Sequence, residues 1–332
     1  MSNNKSKGGN KQLHRAKKEK NDEFYTQFTD IERELSHYKD HFKGKTVLCN
    51  CDDPRVSNFF KYFALNFEYF GLKRVITTCY KNNCPDLFSQ NTAEQAVYLI
   101  YDGNNGASMP DWDKVDVKPL RGDGDFRSRE CIELLKQSDI VVTNPPFSLF
   151  REYVAQLMAY HKRFLIIGNQ NEITYKEIFP LIKANRIWLG YNSGNMEFKV
   201  PADSEPRATR YWQDETGQKW RSMGNTCWFT NLDISKRHEE MILYKRYTPE
   251  EYLKYDNYDA INVDPCDYDG VMGVPITFLD KYCPKQFEII GATESEGKGF
   301  SMGLWNEKSS IAQAMVNGER KFKRVFIRQQ KQ

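Results

Sequence analysis

The chain has 332 residues, with 48 Lys and Arg against 45 Asp and Glu and a 14% aromatic content, the profile of a soluble globular protein of one large or two smaller domains. No apolar run approaches the ~18–20 residues of a membrane span, and the polar, lysine-rich N-terminus lacks the apolar segment of a secretory signal, which predicts a cytoplasmic protein. The eight cysteines, Cys49, Cys51, Cys79, Cys84, Cys131, Cys227, Cys266 and Cys283, show no paired metal-site spacing and read as reduced, mostly buried thiols.

Residues 1–20 hold seven basic side chains against the single acid Glu19, among Asn, Gly and Ser. This predicts a flexible basic arm, either a solubilising tail or a phosphate-contacting segment with Lys17 and Lys18 among its contacts. From 45 to about 190 strands and helices alternate. Strands are predicted at 46–50, 74–80, 96–103, 139–144, 164–169 and 186–190. Helices are predicted at 57–71, with Gly71 as the stop, at 128–137, capped by Ser128, at 148–163, and at 175–185, interrupted by Pro180. That alternation predicts an α/β domain over 21–190 with a doubly wound, parallel sheet. Ligands of such sheets sit at the carboxyl ends of the strands, here after 50, after 80, near 125 and at 144. Beyond 191 turns and aromatics dominate. A hairpin is predicted within 210–232, where "YWQ" and "KWR" flank "DETG", with further strands at 258–263, 287–292 and 322–328 and a mobile loop at 293–303. The region 191–332 is therefore β-rich, and some of its strands are candidates to complete the first sheet.

One strand end stands out. "DIVVTNPPF" leaves a buried strand through Asn144-Pro145-Pro146-Phe147. Pro145 biases Asn144 away from the helical region, and Pro146 keeps the turn stiff. The Asn144 amide oxygen and the Pro145 carbonyl can then face one cleft, beside the flat ring of Phe147. Two aligned acceptors and an aromatic plate suit an exocyclic amine on a planar ring. Such an amine is a poor nucleophile because its lone pair is delocalised. Hydrogen bonds from both its N–H groups favour a localised lone pair, ready to attack a methyl group. A base taken from a duplex also loses its stacking, which the aromatic replaces. The plainer reading is a Pro-Pro loop start. The five histidines are dispersed, and no glycine fingerprint for phosphate follows a strand. Asp123 reads as a turn acid.

These residues resemble the EcoRI modification methylase family of adenine-specific DNA methyltransferases, through "DEFYTQ" (22–27), "CNCDDPRVSNFFKYF" (49–63), "GDGDFRS" (122–128), "DIVVTNPPFSLFREYVAQL" (139–157), "FLIIGN" (164–169), "CWFTNL" (227–232) and "GVPITFLDKY" (273–282). The resemblance implies a mixed, Rossmann-like sheet of the S-adenosylmethionine-dependent methyltransferase type over 21–190, and a target-recognition region over 191–332. It implies transfer of a methyl group from S-adenosylmethionine to adenine N6 in double-stranded DNA by a monomer, with a restriction endonuclease as a possible separate partner. Asn144 and Pro145 would hold the amine and Phe147 would stack on the flipped adenine, with Trp228 or Phe229 on its other side. Tyr25 and Thr26 would bind the methionine end of the cofactor, and Asp125 and Phe126 its adenine. Two features depart from the family pattern. The first strand leads into Asn50-Cys51-Asp52-Asp53-Pro54 without a glycine, leaving Asn50 and Asp52 or Asp53 to meet the cofactor. The second strand ends "VITTCY" without a carboxylate, leaving Thr78, Cys79, Tyr80 or Asp86 for the ribose. Arg207, Arg210, Lys219, Arg221, Lys236 and Arg237, among aromatic and amide residues, are candidates for DNA contact. The alternatives are the same chemistry on RNA adenine, cytosine N4 or a protein glutamine, or a non-catalytic DNA-binding relative.

Overall fold

The structure is a computed structural model that describes residues 25–51, 53–80, 95–103, 116–200, 208–293, 300–309 and 311–330. The basic arm at 1–20, with Lys17 and Lys18, therefore lies outside the described residues, as do Asp52, Asp86, Arg207, the Tyr25 side chain and most of the 293–303 loop. Contacts divide the chain into two compact units, residues 1–168 with 194–226 and residues 169–193 with 227–332. The sequence boundary at 190 falls inside a twelve-residue strand.

In the first unit the strands are β1 (Tyr25–Thr26), β2 (Thr46–Asn50), β3 (Arg74–Cys79), β4 (Val97–Tyr101), β5 (Lys118–Pro119), β6 (Ile140–Thr143) and β7 (Arg163–Asn169). Strands β7, β6, β2 and β3 lie side by side and parallel. β2 and β6 are buried at every position, as parallel strands covered on both faces must be. Beyond β3 the direction reverses, with β4 antiparallel to β3 and β5 antiparallel to β4. Burial alternates along β4 and both residues of β5 are exposed, so this edge is half solvated, which an antiparallel pair tolerates. The sheet is thus mixed, as the family resemblance implies, and not parallel throughout as the alternation of strands and helices alone suggests. Strands β8 (Trp188–Lys199), β9 (Tyr211–Gln213) and β10 (Lys219–Thr230) also belong to it, making ten strands among the described residues.

The predicted helix at 57–71 is two helices, Asn58–Leu65 and Phe67–Phe70. Asn66 breaks it by bonding the Tyr62 carbonyl with its side-chain amide, and Gly71 closes the second piece in the left-handed region, φ 59°. The aromatics at helical spacing pack inward, with Phe42, Phe63 and Phe70 rings 5.2–5.8 Å apart. Each such buried ring contributes roughly 1.5–3 kcal/mol. Ser128 caps helix Arg129–Gln137, as its sequence predicts. Pro180 sits in the first turn of helix Phe179–Lys183, so it starts a helix where an interruption was expected.

The hairpin forms as its sequence predicts, with Trp212 opposite Trp220 and their rings stacked at 6.3 Å. Asp214 organises its turn. Its carboxylate accepts from Thr216 N and Oγ1, Gln218 N and Trp220 Nε1. The hydroxyl and indole donors pull its pKa down to about 2. A depressed carboxylate stabilises the fold above its ordinary value of 3.8, and that contribution disappears as the pH falls through 2. Tryptophan fluorescence should therefore report hairpin opening between about pH 4 and 2, and Asp214→Ala should abolish this step.

In the second unit β11 (Ile261–Asn262), β12 (Met272–Pro275) and β13 (Phe287–Ala292) are joined, after the small hairpin of β14 (Met315–Val316) and β15 (Glu319–Arg320), by β16 (Arg324–Gln329). They form a separate sheet in the order β11-β12-β16-β13, packed on Tyr255, Tyr258 and Phe326. Of the strands beyond 191, β9, β10 and most of β8 thus belong to the first sheet, as expected of some of them, whereas β11, β12, β13 and β16 do not. No described helix is long and apolar enough to cross a membrane.

Candidate active site

The Asn144-Pro145-Pro146-Phe147 segment lies at the carboxyl end of β6, one strand from the carboxyl end of β2. Asn144 is 7% exposed, Pro145 is buried and Phe147 is half-buried. Pro146, in extended conformation, opens a single 3-10 turn, Phe147–Leu149, before the helix Phe150–Ala159. Two long-range hydrogen bonds lock this edge. Thr143 Oγ1 donates to the Asn50 carbonyl, and the Tyr153 hydroxyl donates to Asn50 Oδ1. Tyr153 is fully buried, and burial pushes its pKa well up, so it remains an O–H donor. With its oxygen bound to Tyr153, the Asn50 side chain keeps N–H donors for a ligand.

The segment around 121–127 is drawn to the same helix. The Phe126 ring meets Tyr153 edge-on at 5.0 Å, and Gln156 Nε2 donates to the Phe126 carbonyl. Arg127 bridges Asp125 and Glu152. Glu130 accepts from the N–H groups of Arg121 and Gly122, and Asp123 accepts from Asp125 N, the turn role its sequence suggests. Gly124, φ 76°, lies so close to the end of β3 that a Cβ would stand 2.4 Å from the Cys79 carbonyl oxygen.

The loop after β2 achieves without glycine what glycine usually supplies. Cys51 adopts φ 90° while its N–H donates to the Thr78 carbonyl. A side chain at positive φ costs about 1–2 kcal/mol. Cys51→Gly should therefore melt at or above the wild-type temperature, whereas Cys51→Val, β-branched, should lose about 1–2 kcal/mol; thermal melts of both variants check this. Farther on, Arg55 engages both Asp53 oxygens, at 2.9 and 2.6 Å, and Asp125 is engaged in the same way by Arg127. The Asp53 side chain is only 1% exposed, so Arg55 consumes its acceptor capacity, whereas Asp125 keeps 15% of its surface open. Ser57 caps the following helix. Asn58 Nδ2 donates to the Thr26 carbonyl, which brings the 25–26 segment to that helix. Of the ribose candidates, Thr78 and Cys79 are buried and Tyr80 is half-exposed.

The profile of a family described as adenine-specific methyltransferase EcoRI matches residues 12–330. The chain belongs to this family. It is 55% identical to type II methyltransferase M.EcoRI of Escherichia coli, over 85% of this chain and 89% of that protein. It is 37% identical to type II methyltransferase M.MgeORF184P of Mycoplasma genitalium, over 96% and 98% of the two chains. Type II methyltransferase M.MpnI of Mycoplasma pneumoniae is 39% identical over 84% of each. No solved structure matches the chain. The chain is thus an adenine-specific DNA methyltransferase, and such an enzyme needs a methyl donor.

The residues present suit a polar donor of this kind. Thr26 Oγ1 is buried with no hydrogen-bond partner among the described residues, a cost a bound ligand would relieve. Thr26, Asn50, Asp125 with its partly open carboxylate, and Phe126 all lie on the first unit. Other methyltransferase residues expected from the sequence stand differently. Trp228 and Phe229, at the end of β10 in the second unit, are fully buried. Lys219 and Arg221 alternate along β10 and so share one face, and Arg210 is exposed. Arg237 is internal. It lies 3.7 Å over the Trp188 ring, bonds Asn185 Oδ1 and is 11% exposed, and burial lowers its pKa. Lys236 donates to the Tyr191 carbonyl. Sequence reasoning missed Tyr153, Arg55 and Gly124. An Asp-x-Arg spacing, present at both 53–55 and 125–127, is the signal that would have found the two arginine clamps.

Proposed function

We propose that this enzyme transfers a methyl group from S-adenosylmethionine to N6 of an adenine turned out of duplex DNA, at a defined sequence, as a monomer working beside a restriction endonuclease. The parallel strands β7, β6, β2 and β3 then form the core of a Rossmann-like, doubly wound sheet, and the later β-rich part of the chain reads the target. The carrying observation is the Asn144-Pro145-Pro146-Phe147 turn at the carboxyl edge of β6, bonded through Thr143 to the edge of β2.

S-adenosylmethionine supplies a methyl group made electrophilic by its sulfonium centre. Thr26, with Tyr25 beside it in sequence, holds the methionine end. Asn50 donates through its amide, and Asp125 accepts from the cofactor's adenine amine next to Phe126. Asp53 braces the loop through Arg55, which leaves Asp52 for the cofactor's ammonium. Asn144 and Pro145 accept from the two N–H groups of the target amine, which localises its lone pair along the line of attack. Phe147 stacks on the base and replaces its lost neighbours. Trp228 and Phe229, having no open surface, support the strand.

The test is transfer of tritiated methyl from labelled S-adenosylmethionine to duplex DNA, followed by digestion and mass spectrometry. N6-methyladenine at one sequence is the expected product. No incorporation over a varied DNA library, or label on cytosine alone, overturns the proposal. Methylation-aware sequencing of DNA from cells expressing the enzyme gives the site.

A further inference from the structure

Residues 239–248 form no regular secondary structure, yet they are fixed at both ends. Gln286 clamps Met241 with two hydrogen bonds of 2.8 Å, to its N–H and to its carbonyl. Lys245 O accepts from Cys266 N, and Tyr247 N donates to Asp267 Oδ1 at 2.6 Å. The Tyr247 ring packs against that of Tyr268 at 4.7 Å. Between these anchors Ile242 is 90% exposed and Tyr244 is 80% exposed, the two most exposed of the large hydrophobic side chains described. Met241, Leu243 and Tyr247 are half-buried while Ile242, Tyr244 and Arg246 are exposed, the alternation of an extended chain. One outward row therefore reads Ile, Tyr, Arg, with Lys245 also exposed. Among the described residues neither Lys245 nor Arg246 makes an ion pair.

A frayed loop would let such side chains fold back onto the surface. Here the backbone is pinned on either side and holds them out. We propose that residues 242–246 are a duplex-contacting ridge, in which Ile242 and Tyr244 pack against base edges or between bases while Lys245 and Arg246 engage phosphates. The proposal rests on duplex DNA being the substrate. Same-side residues of an extended chain recur every ~6.6–6.8 Å, close to two nucleotide steps of ~3.4 Å along one strand. A row of this spacing can therefore stay in register with bases. The basic pair favours a polyanion over a second copy of the chain, whose own Lys245 and Arg246 would repel it. Apolar side chains presented beside basic ones are a known means of gripping a duplex through its bases.

The test compares duplex affinity and its salt dependence for the full-length enzyme and two double variants. Ile242→Ala with Tyr244→Ala should weaken duplex binding roughly ten- to a hundredfold at unchanged salt slope. Lys245→Ala with Arg246→Ala should flatten the slope by about two. Melting temperature and S-adenosylmethionine affinity should stay at wild-type values in both, because the side chains removed are exposed. Equal duplex affinity of the Ile242/Tyr244 variant and the wild type would overturn the proposal. So would a wild-type dimer in sedimentation that Ile242→Glu dissociates, since the ridge would then serve self-association. Failure of the wild type to bind any duplex would defeat the functional reading itself, a result distinct from either of these.

Discussion

Replacing Asn144 with alanine is expected to lower turnover by about a thousandfold or more while leaving the affinity for S-adenosylmethionine close to that of the wild type. The side chain sits at the carboxyl end of β6, 7% exposed, between a strand buried at every position and a proline pair that fixes the backbone. Alanine keeps that backbone, so the Pro145 carbonyl remains as one acceptor while the second is lost. The amine then has one anchored N–H group, its lone pair returns to the ring, and its line to the methyl group is no longer set. The residues assigned to the methyl donor, Thr26, Asn50, Asp125 and Phe126, keep their surroundings. Single-turnover methylation and calorimetric titration of the cofactor separate the two effects. Asn144→Asp keeps an acceptor oxygen but adds a charge at a nearly closed site, and it should retain more activity than alanine. A variant with alanine that kept more than about a tenth of the wild-type rate would show that Asn144 is a turn former only.

The features that were legible in the sequence are those written locally. The Asn-Pro-Pro-Phe turn announces itself by proline stiffness after a β-branched run. The 210–232 hairpin shows as two tryptophans either side of a polar turn, and the 129–137 helix as a serine three residues before its first buried position. The features that were not legible depend on partners far along the chain. Tyr153 lies inside an amphipathic helix pattern and reads as core. Only the fold reveals that its hydroxyl reaches Asn50, 103 residues away. The reversal at β4 likewise depends on which edge is left to solvent. The missing glycine after β2 was legible as an absence, but its resolution was not. A cysteine accepts φ 90° because surrounding hydrogen bonds over-determine the turn, among them Thr143 to the Asn50 carbonyl and Cys51 to the Thr78 carbonyl. Asp53 looked available to a ligand because an adjacent arginine on a loop gives no hint of which way it folds.

Two glycines in "GDGDF" look interchangeable on paper, and their alanine variants are expected to differ sharply. Gly122 has no positive φ, and an added Cβ would meet nothing nearer than Glu130 Oε2 at 3.9 Å. Gly122→Ala should therefore change stability by less than about 0.5 kcal/mol. Gly124 has φ 76°, and its Cβ would stand 2.4 Å from the Cys79 carbonyl oxygen, 2.9 Å from Ala96 Cβ and 3.0 Å from Tyr80 Cα. The backbone penalty is about 1–2 kcal/mol. Displacing a main-chain carbonyl and a packed Cβ adds about 1–3 kcal/mol, because neither is the free end of a flexible side chain. The sum, about 2–5 kcal/mol, corresponds to a fall in melting temperature on the order of 3–7 °C for a chain of this size. The functional consequence follows from the same close approach. Gly124 lets the loop lie against the end of β3, and that approach sets where Asp125 and Phe126 stand relative to Tyr153. If alanine pushes the loop outward, the Phe126–Tyr153 ring pair at 5.0 Å opens, and the site proposed for the cofactor's adenine goes with it. Gly124→Ala should then raise the KM for S-adenosylmethionine by about tenfold or more at temperatures where the variant is still folded, with the KM for DNA nearly unchanged. Equal melting temperatures for the two alanine variants would mean that the loop does not lie against β3 in solution. A large loss of stability without a change in cofactor KM would place the cofactor's adenine elsewhere and free Asp125 to serve only as the partner of Arg127.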